Sequence, residues 1–250
     1  MQKTIVLMLA FCSLGACTSS LKKPIVIGHR GAKGHAAENT LPSVREALAL
    51  GVDAIEIDVF RCATGELVVF HDKTLEKLTN ATGAIEQLPL DSIQKITVLG
   101  QAPIPTLEEV LDEINGRVVL NIELKGSQTA LPTHALLQRY FERETLTPND
   151  ILISSFDWEE LKIFFQNNTK VPIAVLTEDD PLDALPIAQQ MKAMAINPDY
   201  RTLNKNNVKK IQAAGYKIYP WTVNAPADIE KLKSLGVDGI ITDYPERVFP

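Results

Sequence analysis

Cysteine is scarce in this chain, with three in 250 residues, too few for a disulfide framework. Aromatic residues make up only 6%, and no run of Lys and Arg concentrates positive charge. With 25 basic residues against 31 acidic ones and a net charge of −6, broad nucleic-acid binding is excluded, because it needs a concentrated positive surface. No apolar run reaches the roughly 20 residues of a membrane-spanning helix. No G-x-G-x-x-G follows the first apolar run, which weighs against a dinucleotide-binding sheet. What remains is 45% hydrophobic and 22% charged, the composition of a folded globule. The length suits one large domain or two small ones with a sizeable core.

The first residues read apart from the rest. Lys3 is the only charge before Lys22, residues 4–11 form a short apolar run, and small residues follow. That order predicts a secretory signal rather than a buried N-terminal helix. Leu14-Gly15-Ala16-Cys17 resembles the lipobox of bacterial lipoproteins. The resemblance implies cleavage before Cys17 and lipidation of Cys17, with several acyl chains giving a stable anchor. Residues 1–16 are then a signal peptide, 17–23 a short lipid-anchored tether, and 24–250 the working domain. The expected place is the bacterial cell envelope. Thr18 stands where an aspartate would retain the protein, so outer-membrane or periplasm-facing sorting is open if the cell is Gram-negative.

Beyond the tether, short runs rich in Val and Ile alternate with amphipathic segments. The runs fall at 24–28, 54–60, 67–70, 118–124, 151–155, 172–176, 193–196, 217–223 and 239–242. Helical periodicity lies between them at 41–50, 106–114, 130–141, 158–167, 181–191, 204–214 and 227–235, with Thr40 and Asp157 as caps for the first and fourth. Alternation of this kind predicts a parallel α/β sheet. The second and third runs are separated only by Cys62-Ala63-Thr64-Gly65-Glu66, a hairpin-length loop, so the third run returns antiparallel on the second. Eight parallel strands remain, and the expected fold is a (β/α)8 TIM barrel with a small insertion at about 73–105. An open doubly wound sheet is the alternative. No second domain or internal repeat is evident.

In a barrel the chemistry sits at the C-terminal ends of the strands. The first strand ends Gly28-His29-Arg30-Gly31, and the returning hairpin ends Phe70-His71-Asp72. Glu56 and Asp58 on the second strand, and Glu123 and Lys125 on the third, are i, i+2 pairs that each share one face. Three inward carboxylates repel one another unless a cation neutralises them. Oxygen ligands favour Mg²⁺ or Ca²⁺ over Zn²⁺. Arg30 offers a planar fork for a phosphate and Lys125 a compact charge. His29 and His71 supply groups that titrate near neutral pH. Together these describe phosphate-ester hydrolysis. Taken singly each has a blander reading: E-x-D is a common strand pattern, and the glycines can serve a tight turn. It is their convergence on matching strand ends that favours chemistry. His134 reads as structural, His35 as a peripheral loop residue, and Cys62 as incidental.

At these residues the chain resembles the glycerophosphodiester phosphodiesterase family, from Ile25 to the C-terminus. The matching stretches are Gly28-His29-Arg30-Gly31 with Glu38-Asn39-Thr40, then Glu56-Ile57-Asp58, Phe70-His71-Asp72, Asn121-Ile122-Glu123-Leu124-Lys125, Ser155-Phe156, Trp221-Thr222-Val223-Asn224 and Thr242-Asp243-Tyr244-Pro245. The resemblance implies His29 and His71 as acid and base, and Glu56, Asp58 and Glu123 as ligands of one divalent cation, Ca²⁺ or Mg²⁺. It implies Arg30 and Lys125 as phosphate contacts, Trp221 as a wall beside the glycerol, and Glu38 near the metal and glycerol. Phe156 becomes a pocket wall or a core residue. Ala37 stands where proline is common and Lys77 where arginine is frequent, and neither touches the expected chemistry.

The expected reaction hydrolyses a small-molecule glycerophosphodiester to sn-glycerol 3-phosphate and an alcohol, with water or the substrate's own glycerol hydroxyl attacking. One alternative is a lysophospholipase D, for which Leu75, Leu78, Ile85, Leu88, Leu90 and Ile96 in the insertion either offer an acyl path or pack the cap. The other is a non-catalytic lipid-anchored binding module. Expected partners are the substrate and, through Cys17, a membrane.

Overall fold

The computed structural model describes residues 23–249, so the signal and anchor expectations, with Cys12 and Cys17, lie outside the described residues. The strands are β1 (Ile25–Gly28), β2 (Ala54–Arg61), β3 (Leu67–Val69), β4 (Thr97–Val98), β5 (Ala102–Pro103), β6 (Val119–Leu124), β7 (Ile151–Ser155), β8 (Ile173–Thr177), β9 (Ala195–Pro198), β10 (Lys217–Ile218) and β11 (Gly239–Thr242). The helices are α1 (Leu41–Leu50), α2 (Leu90–Ile93), α3 (Leu107–Ile114), α4 (Ala130–Glu142), α5 (Trp158–Asn167), α6 (Leu185–Gln190), α7 (Lys205–Ala213) and α8 (Pro226–Leu235).

Parallel strands run in the order β10-β9-β8-β7-β6-β2-β1-β11. Backbone hydrogen bonds from Asp238 to Ile218, from Ile241 to Pro220 and from Val223 to Ile241 then join the two ends of the row. The fold is a (β/α)8 TIM barrel. β3 pairs antiparallel with β2, as the hairpin-length loop predicts.

Two departures from the expected elements both involve proline. The run at 217–223 keeps only two residues of regular strand, because Pro220 has no N–H for the ladder. The helix expected at 181–191 is split into a 3-10 turn (Pro181–Ala184) and α6, since the ring of Pro186 clashes with the carbonyl four residues back in a continuous helix. Thr40 caps α1 and Asp157 caps α5, each side chain accepting from backbone N–H groups of the first turn.

Apolar side chains fill three places. The largest cluster lies where the helices pack on the barrel, with Val26, Ile55, Leu111, Ile153 and Phe164 among its members. A second plugs the barrel interior with Ile27, Ala54, Leu152, Ala174, Ala195, Tyr219 and Ile241. The third belongs to the insertion, where Leu75, Leu78, Ile85, Ile93 and Ile96 pack on Phe60, Val68 and Phe70 of the β2–β3 hairpin. Leu88 and Leu90 pack against that same cluster. The apolar residues of the insertion therefore build the cap.

Candidate active site

The β2–β6 register pairs Glu56 with Asn121 and Asp58 with Glu123. Parallel pairing alone thus sets two carboxylates side by side, and the i, i+2 spacing adds Glu56 on the same inner face. All three are buried, and one oxygen from each lies within 4.8 Å of the others. Burial first, then repulsion from Asp58 and Glu123, pushes Glu56 well above its ordinary carboxylate value. Burial, with Asp58 beside it, raises Glu123 to about 7. Burial also works to raise Asp58, but Arg30, His71 and Lys125 override it and hold Asp58 below its usual range. The protein's own cations therefore satisfy one carboxylate of the three and leave two short of positive charge. A hard divalent cation fits that donor set and supplies what is lacking.

Arg30 is fixed from several sides. Its backbone is left-handed (φ 52°), its N–H donates to Glu56 at 3.0 Å, and its carbonyl accepts from Ser43 Oγ at 2.8 Å. The turn depends on the next residue, Gly31, where a Cβ would lie 2.4 Å from Ser43 Oγ. Arg30 Nε lies 3.3 Å from Asp58, and its Nη1 is paired with Glu38. Glu38 also pairs with Lys33 at 3.1 Å and does not line the catalytic cavity. In this structure it braces Arg30. Lys125 reaches Glu123 at 2.8 Å and Asp58 at 3.8 Å.

Each of two histidines is held by an aspartate. His29 Nδ1 lies 2.6 Å from Asp243, and His71 Nδ1 lies 2.5 Å from Asp72. The carboxylate places a proton on Nδ1 and leaves the Nε2 lone pair as the acceptor; in His71 it faces the cavity, and in His29 it accepts from Arg30 Nε at 3.2 Å. Burial lowers the pKa of His29, with Arg30 adding to the effect and the Asp243 hydrogen bond opposing it. Burial likewise lowers His71 against the pull of Asp58. Both rings are therefore neutral near pH 7.

The cavity these groups share has a volume of about 120 Å³ and is lined by His29, Arg30, Glu56, His71, Glu123 and Lys125. Asn121 and Ser154, joined by a 2.9 Å hydrogen bond, line it too. Phe156 and Trp221 complete the wall, edge to face with centroids 5.3 Å apart, and Trp221 Nε1 donates to the Asn197 carbonyl. Phe156 thus stands at the cavity. His35 pairs with Glu246 and His134 packs on Phe164, and neither lines the cavity. Cys62 is buried in the cap.

Several residues of the site were not singled out by sequence reasoning. Asn39, itself left-handed at φ 58°, clamps Asp58 with two hydrogen bonds. Asn224 clamps Asp243 in the same reciprocal way. Asp243 lies 214 positions from His29, so no local pattern could pair them. Asp72 did carry a signal, since it directly follows His71. Lys77 does not line the cavity, as expected; it lies 3.5 Å from Asp72 and is linked to His71 only through that aspartate.

Comparison with known proteins gives the family and agrees with the fold. The family model "Glycerophosphoryl diester phosphodiesterase family" matches residues 29–247. A glycerophosphodiester phosphodiesterase of Caldanaerobacter subterraneus is 32% identical, covering 90% of this chain and 96% of the relative. One from Bacillus subtilis is 31% identical, covering 89% and 84%. Among solved structures, a phosphodiesterase of Oleispira antarctica in complex with its product sn-glycerol-3-phosphate superposes with a TM-score of 0.83 at 28% identity, covering 90% of this chain and 95% of that one.

Proposed function

This chain belongs to the glycerophosphoryl diester phosphodiesterase family, as an enzyme of that class, and we propose that it hydrolyses glycerophosphodiesters to sn-glycerol 3-phosphate and an alcohol with one divalent cation, Ca²⁺ or Mg²⁺. The observation that carries the reading is the shared cavity of two aspartate-held histidines, two cationic side chains and three buried carboxylates.

In this mechanism Arg30 and Lys125 bind the phosphoryl oxygens and orient the diester. Glu56, Asp58 and Glu123 hold the cation, which when bound offsets negative charge on the phosphoryl group. One histidine accepts the proton of the attacking oxygen at Nε2, and its aspartate stabilises the resulting imidazolium. The other takes up a proton at Nε2 from solvent as substrate binds and delivers it to the departing alcohol oxygen, and the first returns its proton to solvent after turnover. Asp243 and Asp72 keep each ring in the tautomer and orientation these transfers require. Trp221 and Phe156 wall the site and limit water, and Glu38 keeps the Arg30 guanidinium in place.

The Leu14-Gly15-Ala16-Cys17 segment supports a further part of the proposal, lipid anchoring at Cys17 in a bacterial envelope. Detergent partitioning of wild type and Cys17→Ala tests it, and a wild type that stays in the aqueous phase overturns it. Among the described residues no helix is long and apolar enough to cross a membrane.

The test of the activity is turnover of glycerophosphocholine before and after EDTA, with Ca²⁺ or Mg²⁺ added back. Turnover should stop on chelation and return with one of the ions. Activity indifferent to chelation removes the cation from the proposal, and no release of glycerol 3-phosphate under any condition removes the reaction. Lysophosphatidylcholine run beside it distinguishes the lysophospholipase D alternative. The apolar side chains that reading would need in the insertion are spent on the cap core.

A further inference from the structure

A second, shallower groove adjoins the catalytic cavity. Phe156, Leu176 and Glu178 line both spaces. The groove, about 370 Å³, is walled by the rings of Phe156 and Trp158 and carries Glu178, Asp179 and Asp183. These residues come from the ends of β7 and β8 and the segments that follow them, at the catalytic end of the barrel.

The three carboxylates are exposed, and none forms an ion pair among the described residues. Arg201, which feels the charge of Glu178 weakly, is itself paired with Asp199. The groove is therefore anionic and aromatic. Across the shared wall, Arg30 and Lys125 make the catalytic cavity a place for an anion. Phe156 already meets a cation on the catalytic side, with Lys125 Nζ 5.4 Å from its centroid.

A negative region beside a positive one, with Phe156, Leu176 and Glu178 lining both, matches a substrate that carries both charges. We propose that the groove is a subsite for the ammonium-bearing alcohol of the diester, so that the enzyme selects zwitterionic glycerophosphodiesters over those of neutral alcohols. The inference rests on the phosphodiesterase reading above and names the leaving group it prefers. A quaternary ammonium has no N–H to donate, so ring faces and unpaired carboxylates are the groups that recognise it. A neutral polyol gains nothing from either. The phosphodiester sits against Arg30 and Lys125, and the alcohol carbons pass Phe156 to place the ammonium between the rings and the carboxylates.

The experiment compares kcat/KM for glycerophosphocholine and glycerophosphoglycerol in the metal-loaded wild type and in the E178Q/D179N/D183N variant. The wild type should favour the choline ester by about tenfold or more, and the variant should lose most of that ratio through KM. Equal kcat/KM for the two esters in the wild type, or a ratio untouched by the variant, overturns the proposal. Choline binding by calorimetry needs no turnover and separates the two readings. Choline should bind the wild type about tenfold more tightly than the variant, and equal affinity counts against the subsite. If no glycerophosphodiester turns over while choline binding keeps that difference, the hydrolytic reading fails and the subsite stands.

Discussion

The barrel interior holds two layers on the same strands. In the lower layer β2, β6 and β7 contribute Ala54, Val119 and Leu152 to an apolar plug. Two residues further, about 7 Å along each strand, the same strands offer Glu56, Asn121 and Ser154, and then Asp58 and Glu123. The side chains point inward in both layers and, the half-buried Val119 apart, are buried in both. What differs is the partner each finds. Ile27, Leu152 and Ile241 find one another and lose only contact with water. Glu56 and Glu123 find other carboxylates and too few cations, so burial costs stability there unless protons or a metal neutralise them. The lower layer builds the barrel, and the upper layer uses its rigidity to hold groups that would otherwise move apart.

The sharpest way to break that comparison is at the histidines. His29→Ala and His71→Ala should each reduce kcat by about 10³-fold or more, with thermal unfolding little changed. A variant that keeps its turnover removes that histidine from proton transfer. The converse belongs to the lower layer. Leu152→Ala should cost about 2–5 kcal/mol of stability, read as a lower Tm, while kcat stays within about threefold of wild type. A large loss of kcat with no change in Tm would show that the layers are not separable.

The upper layer's strain has its own signature. In chelated protein Glu123 is raised to about 7 from an ordinary 4.5, and Glu56 is raised as well. A raised carboxylate adds stability that is full below its unfolded value and is lost as pH climbs through its folded value. The two histidines, lowered by burial, work the other way below their ordinary 6.5, so the chelated protein should melt progressively lower between pH 6.5 and 8, and added Ca²⁺ or Mg²⁺ should flatten the trend. Melting curves that rise with pH over this window in EDTA would contradict the electrostatics of the site. The smallest effect is expected at the edge. Lys77→Ala removes an exposed partner of Asp72 and should change kcat/KM by less than about fivefold.

Much of the fold was legible because its signals are local. Val- and Ile-rich runs of about five residues, separated by capped amphipathic segments, specify strand and helix without distant information. Thr40 and Asp157 marked helix starts at the residues that cap α1 and α5. The hairpin was legible from loop length alone. Where proline intervened, at Pro186 and Pro220, the apolar pattern continued but the backbone could not. The charged residues at the ends of β1, β2, β3 and β6 were legible as a set, since i, i+2 spacing fixes the face of a strand.

The residues that hold the site were not legible in this way. Asn39, Asn224 and Asp243 are ordinary loop residues by type, and their roles arise only when β1 lies beside β2 and β11, and the run at 217–223 beside β11. Asp243 reaches His29 because the barrel closes, which sequence separation conceals. Glu38 illustrates the same limit, because only the structure reveals its pairing with Arg30 and Lys33.

The sequence by itself determined the strand and helix periods, the inward face of each carboxylate pair and the list of reactive groups, because each depends on neighbours a few positions away. Tertiary structure decided which groups meet. Strand register put Asp58 against Glu123, closure put Asp243 against His29, and adjacent loops put an acidic aromatic groove beside a phosphate site. These are contacts across many residues of chain, and only the packed barrel, by burying one shared interior, brings their charges within range of one another.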